Sequence, residues 1–362
     1  MTVGTYGFAY NYFPYQMEIY PIICFTGIVL SGIPIKFGRS WNNVIVFLAL
    51  SFVLLRYILD DGSPQPLLYS FLTILCMWVY IKSNKEKAVF YLLNCFVIAA
   101  LVISILYFAN YEKFLASYNL ADGVERSGWT DPNYLSCIIG MAIISSIILL
   151  STQHKARLIE RIFWISTAVL SFATQLLLAS RGGILAVGTA LIFLLLRSKT
   201  KARYKILVLL ACVIIIAVLY SMGYFSLIEY RIANDGDGGS GRTDIWADKL
   251  SYYANSSNIF QVLFGLGPVS ALNIGDKYAA FHNDFVAILC GYGVVGILFF
   301  IYMFIYPIFK SSDTSKTLVN TILIYLAICS VTLEPFYSGR LTYFSFYLLA
   351  LILALHKPLS KS

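Results

Sequence analysis

The chain is a succession of long apolar runs separated by short charged or polar breaks. The runs fall near residues 17–35, 42–59, 66–81, 88–110, 132–150, 162–179, 182–196, 204–224, 285–309, 317–333 and 341–356. A helix needs about 20 apolar residues to cross a hydrocarbon core of about 30 Å, so each run is predicted to be one crossing. The expected fold is all-α, a polytopic membrane bundle of about eleven transmembrane helices that takes up residues 1–362 as a single domain.

The breaks alternate in charge. One set holds Lys36, Arg39, Lys82, Lys85, Lys87, Lys155, Arg157, Arg161, Arg197, Lys199, Lys201, Arg203, Lys205, Lys310, Lys316, Lys357 and Lys361, which is 17 of the 26 Lys and Arg against only 3 of the 18 acids. Short cationic loops stay in the cytoplasm. The alternation therefore predicts the N-terminus outside, the C-terminus inside, and a long non-cytoplasmic loop over 225–284. Composition agrees: 59% of residues are hydrophobic, 12% are charged and the mean hydropathy is +0.77, whereas soluble domains carry about 25% charge. The net charge of +8 does not point to nucleic acid, because the cations are spread over short inner loops whose natural neighbour is anionic lipid. All seven cysteines lie within the runs without CxxC spacing and read as packing residues. The first seventeen residues lack a basic segment followed by an apolar core, so no cleavable signal is expected. The first span then inserts itself, or a segment precedes it.

Three outer segments carry detail. Asn234 to Gly241 is a Gly- and Asp-rich turn, and the amphipathic-looking run from Thr243 to Phe264 suggests a re-entrant or interfacial helix. Asp131-Pro132 has the cap and first-turn residues of a helix start. Only 35 residues, 162–196, separate Arg161 from Arg197, about 52 Å of helix for two crossings of about 30 Å each. Arg181, at the turn between them, is expected to lie below the outer surface. Either it meets an anion or a wet cavity there, or it snorkels from a tight Ser-Arg-Gly-Gly turn.

Two pattern matches are set aside. Gly291, Gly293 and Gly296 satisfy GxGxxG, but that fingerprint needs a preceding strand, and glycines in an apolar span serve close packing. Asp235-Gly236-Asp237-Gly238 resembles a calcium loop, yet Trp246 stands where the bidentate Glu is required.

Of the three histidines only His282 is on the outer side. It opens His282-Asn283-Asp284, where the long loop re-enters the bundle, either as a general base or as part of a helix-capping cluster. Arg181 and Arg242 share that side with it, and Arg340, Glu334 and Asp284 are further candidates. No His, Cys and carboxylate spacing suits a metal. Guanidinium groups make bidentate contacts to phosphate oxygens, and a neutral histidine can take a proton from an attacking hydroxyl. These residues alone describe a membrane transferase acting on a lipid-linked phosphate.

The order of these landmarks resembles the O-antigen ligase and polymerase superfamily of bacterial surface-polysaccharide assembly. Asp131-Pro132-Asn133 opens one span, Ser180-Arg181-Gly182-Gly183 joins two others, Gly241-Arg242 and Trp246 precede Gly265-Leu266-Gly267, and His282-Asn283-Asp284 leads into the span of Gly291 to Gly296. The resemblance runs from Trp129 to Phe300. It implies transfer of a glycan from an undecaprenyl-pyrophosphate-linked oligosaccharide donor to an acceptor sugar hydroxyl, with no cofactor or metal. It further implies that Arg181 and Arg242 bind pyrophosphate, that His282 activates the acceptor, and that the anomeric centre inverts. The implied location is the bacterial cytoplasmic (inner) membrane with the active face periplasmic or extracellular, alongside a chain-length regulator and a flippase. Polymerase is favoured over ligase because such chains are more numerous and diverse. A flippase or exporter of the same glycan-lipid is the reading from another class, and it lacks the internal pseudo-symmetry such proteins carry.

Overall fold

The computed structural model describes residues 48, 51–53, 55, 56, 58–60, 85–110, 132–153, 156–197, 201–223, 225, 229, 242–274, 281–311, 313–337, 348, 351 and 352. Among these the chain is helical, with no strand. The expected runs 17–35 and 66–81 lie outside the described residues, as do most of 42–59 and 341–356.

Ten helices carry the description: α1 (Lys85–Ala109), α2 (Pro132–Thr152), α3 (Leu158–Leu177), α4 (Arg181–Arg197), α5 (Ala202–Ser221), α6 (Arg242–Ser256), α7 (Ile259–Phe264), α8 (Pro268–Leu272), α9 (Asp284–Lys310) and α10 (Asp313–Thr332). Among the described residues three segments are long and apolar enough to cross a membrane, Phe90–Ala109, Leu135–Thr152 and Asp284–Phe309, and Lys205–Ser221 and Lys316–Thr332 are shorter apolar helices. Burial divides α1 lengthwise. Leu92, Phe96, Val97, Ala100, Ile103 and Tyr107 are buried, while Ile98, Val102 and Ile105 are about half exposed (47%, 50% and 54%). An apolar stripe left open beside a packed face suits lipid rather than water. The protein is an integral membrane protein.

The described residues belong to two compact units. The first comprises α1 from Val89 on, α2 to α5 and residues 320–328 of α10. Its cores meet through small residues and buried hydrogen bonds. A Cβ on Gly140 of α2 would stand 2.5 Å from Val187 Cγ2 and 2.7 Å from the Tyr325 hydroxyl, and that hydroxyl donates to the Cys137 carbonyl at 2.6 Å. Trp164 Nε1 donates to Asn94 Oδ1 at 2.9 Å, and the Tyr107 hydroxyl donates to the Leu177 carbonyl at 3.0 Å. Where lipid competes for every apolar face, such bonds and close approaches hold helices together.

The second unit contains α6 to α9, the ends of α10 and the turn after it, and residues from 51–60. α9 is interrupted at Gly293 (φ 69°, ψ −165°). There the amides of Leu266 and Gly267 donate to the carbonyls of Cys290 at 2.8 Å and Gly291 at 3.1 Å. The approach is backbone to backbone, since a Cβ on Gly265 (φ 82°) would lie 2.3 Å from the Gly291 carbonyl. These glycines thus serve the close packing expected of them, against the end of α7 and the loop after it, and the loop supplies donors where the helix is broken. Arg56 Nη2 donates to the Gly265 carbonyl at 2.9 Å. Asp60 accepts from the Val269 and Ser270 amides at 2.6 and 2.7 Å and from the Ser270 hydroxyl.

Candidate functional site

In the second unit a site grows from one face of α6. Arg242, Ile245, Trp246, Lys249 and Tyr253 recur at three- and four-residue spacing, which aligns side chains along a helix. Ile245, Lys249 and Tyr253 are buried. Trp246 Nε1 donates to the Phe281 carbonyl at 2.8 Å. Lys249 Nζ donates to the carbonyls of Leu272 at 3.4 Å and Ile274 at 3.1 Å, and stands 4.3 Å from the centre of the Phe281 ring. The Tyr253 hydroxyl meets the carbonyls of Gln261 at 3.1 Å and Val262 at 2.9 Å. The amphipathic run expected over 243–264 is therefore two helices. Asn258 ends the continuity by capping α7, its side chain accepting from the Gln261 amide at 3.0 Å while Gln261 Oε1 accepts from the Asn258 amide at 3.0 Å.

Arg242 heads this face. Its Nη1 donates to the carbonyl of Thr332 at 2.6 Å, the last residue of α10, where helix carbonyls lack intrahelical donors and a cation is favoured. The chain then turns through Glu334, at φ 51°, and the Glu334 carboxylate reaches the turn before α9. One oxygen, Oε2, accepts from the amides of Phe281 at 2.8 Å and His282 at 2.7 Å. His282 is at φ 53°, and two successive amides converging on one oxygen form an anion-holding nest. The contact is returned. Asp284 Oδ1 accepts from the amides of Phe336 at 3.0 Å and Tyr337 at 2.8 Å. Asn283 caps α9, accepting from Phe285 at 2.9 Å and Val286 at 3.3 Å. The capping expected of this triplet thus falls to Asn283, and Asp284 links two turns some fifty residues apart.

Glu334 is 4% exposed. Burial pushes its carboxyl up to about 7, while the His282 and Phe281 amides and the charges of Lys249 and Arg242 pull it down. Burial also lowers the Lys249 ammonium, against the nearby Glu334 carboxylate. The cluster is a buried carboxyl flanked by two cations, with His282 on its rim.

Arg181 belongs to the first unit. It begins α4, half-buried, after Ala179 at φ 51°. Ser180 donates from Oγ to Asn133 Oδ1 at 2.9 Å and accepts from the Gly183 amide at 3.4 Å. Gly183 allows α2 to come close, since a Cβ there would overlap the Ser136 hydroxyl. α4 has 17 residues, about 26 Å at 1.5 Å per residue. Arg340 lies outside the described residues, as does Gly241. The left-handed non-glycine residues among those described are Ala179, His282 and Glu334. Each is a candidate residue or lies within two positions of one, and strain of about 1–3 kcal/mol per residue persists where surroundings enforce it, often at functional sites.

Residues 166–301 match the family model described as O-antigen ligase. Over these residues the chain is similar to the O-antigen ligase family, in line with the resemblance read from its landmarks. A comparison with curated proteins finds no match. The matched span contains Arg181, Arg242 and His282 and ends before Glu334 and Arg340. The match supports an O-antigen ligase or polymerase type of function, a family whose members are membrane glycosyltransferase-like enzymes of lipid-linked glycans. The fold brings together Arg242, His282, Asp284 and Glu334 of the expected residues. It adds Lys249, which sequence reasoning overlooked. Its signal was the spacing 242, 246, 249, 253 on a helix whose opposite face is polar. Among the described residues no group of three or more His, Cys, Asp or Glu side chains could hold a metal.

Proposed function

We propose that this O-antigen ligase-like chain is a metal-independent polymerase of surface polysaccharide in the bacterial inner membrane, with its active face periplasmic or extracellular. It acts on undecaprenyl-pyrophosphate-linked repeats. The observation that carries the reading is the cluster of Arg242, His282, Glu334 and Lys249, a fixed cation and a histidine at the entry to a membrane-spanning helix. An acceptor hydroxyl loses its proton to His282 as its oxygen forms a bond to the donor's anomeric carbon. The bond from that carbon to the phosphate oxygen breaks on the opposite face, which inverts the centre, and the electron pair leaves with undecaprenyl pyrophosphate. Arg242 stabilises the negative charge developing there. The same role for Arg181 rests on the resemblance, supported by a helix too short for a full crossing. A single membrane domain, the loop over 225–284, and a chain-length regulator and flippase as partners complete the proposal.

The family description favours a second reading, a ligase that delivers the glycan to the lipid A core. One experiment tests both. Wild type, Arg181→Ala, Arg242→Ala and His282→Ala are expressed in a host lacking the gene, and the surface glycan is resolved on a gel. Loss of a polymerase leaves single repeats on the acceptor, whereas loss of a ligase leaves long chains on the carrier lipid. Normal ladders from all three variants would sink the site assignment, and normal polymer held inside the cell would indicate an exporter.

A further inference from the structure

We propose that Glu334 is the positioning residue for His282, holding it through the backbone of the Phe281–His282 turn. The proposal rests on His282 being the base of the transfer. Its geometric ground is the crossed pair of carboxylates. Glu334 accepts from the amides of residues 281 and 282, and Asp284 accepts from the amides of 336 and 337. Each acid thus fixes the turn that carries the other.

A left-handed residue with a Cβ is unfavourable by about 1–2 kcal/mol, so an isolated His282 relaxes to another φ and its ring swings with the backbone. A single oxygen accepting two consecutive amides is compatible with the bent conformation and not with an extended one, because extended neighbours point their amides to opposite sides. Phe281, sealed at 0% exposure, anchors the near end of the turn through its ring against Tyr337, 5.5 Å between centroids. Asn283 anchors the far end as the cap of α9. Between these two anchors, Glu334 supplies the acceptor for the His282 amide.

This link is sensitive to pH. The groups facing the Glu334 carboxyl are Lys249 and Arg242 from α6, Asp284 and the His282 turn from the start of α9, and Tyr337 from its own turn. Its ionisation lies near neutrality, and the ionised oxygen is the stronger acceptor. Positioning is therefore firmest above about pH 7 and weakens as the pH falls through it.

The test uses the full-length protein in membranes and compares Glu334→Ala, Glu334→Gln and His282→Ala with wild type. The assays are transfer kinetics from pH 5.5 to 8.5, hydrogen exchange of the peptide spanning residues 281–285, and thermal melting. Glu334→Ala is expected to lower kcat at least tenfold with donor KM within twofold, and to speed exchange at 281 and 282. Glu334→Gln, whose amide oxygen can accept both bonds, is expected to restore most of kcat at pH 8 and to lose the acid limb near pH 7. Wild-type kcat in Glu334→Ala, or equal losses in the Ala and Gln variants tracking only the amount of folded protein, overturns the positioning role. An active His282→Ala overturns the functional reading instead. An inactive His282→Ala beside a fully active Glu334→Ala overturns the positioning role alone.

Discussion

Alanine at three glycines separates backbone conformation from close approach. Gly188, within α4, has nothing within 4 Å of its would-be Cβ, so Gly188→Ala gains helix propensity alone, up to about 1 kcal/mol. Gly223 ends α5 at φ 74° with equally open space, and alanine there meets only the left-handed penalty, about 1–2 kcal/mol. Gly265 combines φ 82° with Gly291 carbonyl atoms at 2.3 Å and the Tyr292 nitrogen at 2.4 Å. Ordinary contact begins near 3.4 Å, so the loop must retreat by about 1 Å, too far for hydrogen bonds now at 2.8 and 3.1 Å to survive. Two unpaired donors facing two unpaired carbonyls in an apolar setting cost about 1–3 kcal/mol per lost bond. With the left-handed penalty the sum is roughly 4 kcal/mol or more. Thermal unfolding in detergent, monitored by Trp fluorescence, ranks the variants. Expected melting temperatures are Gly188→Ala at or above wild type, Gly223→Ala slightly below, and Gly265→Ala far below. A Gly265→Ala protein that melts with wild type would refute the docking of this loop on α9.

Stability should also report Glu334. Its folded value of about 7 exceeds the ordinary 4.5, so the folded state binds this proton more tightly, and stability from this group is lost as pH rises from 4.5 through about 7. Glu334→Gln, which does not titrate, should melt like wild type near pH 4.5 and above it at pH 8, by at most about 3 kcal/mol. An advantage that grows at acid pH contradicts the sign. Lys249→Met keeps the apolar stem but leaves the Leu272 and Ile274 carbonyls without their donor; a loss of about 2 kcal/mol is expected in the same melts. It also removes a charge that holds the Glu334 value down, so the acid limb of the transfer profile should move upward. Arg242→Lys retains charge without the planar fork, and transfer should fall at least tenfold in the gel assay's kinetic counterpart; full activity would exclude bidentate phosphate binding by Arg242.

Helix class and candidate spans were legible from local pattern. The runs 88–110, 132–150 and 285–309 reappear as helices long and apolar enough to cross a membrane, because hydropathy over about 20 residues needs no knowledge of partners. Arg242 and His282 could be named as candidates, since one of three histidines and an arginine ahead of a tryptophan stand out by type and order. Glu334 and Asp284 could be named but not assigned, because each acts on amides some fifty residues away.

By itself, then, the sequence determined a helical membrane protein, its basic and acidic loops, and a short roll of candidate site residues. Those properties are local or additive: apolar length, loop charge, residue chemistry. Tertiary structure alone decided that Glu334 and Asp284 exchange carboxylates across two turns, that Lys249 is buried beside them, and that Gly265 and Gly293 let a loop enter a broken helix. Each depends on backbone donors and acceptors that every residue carries. Their pairing leaves no mark in residue type until the fold brings them within about 3 Å.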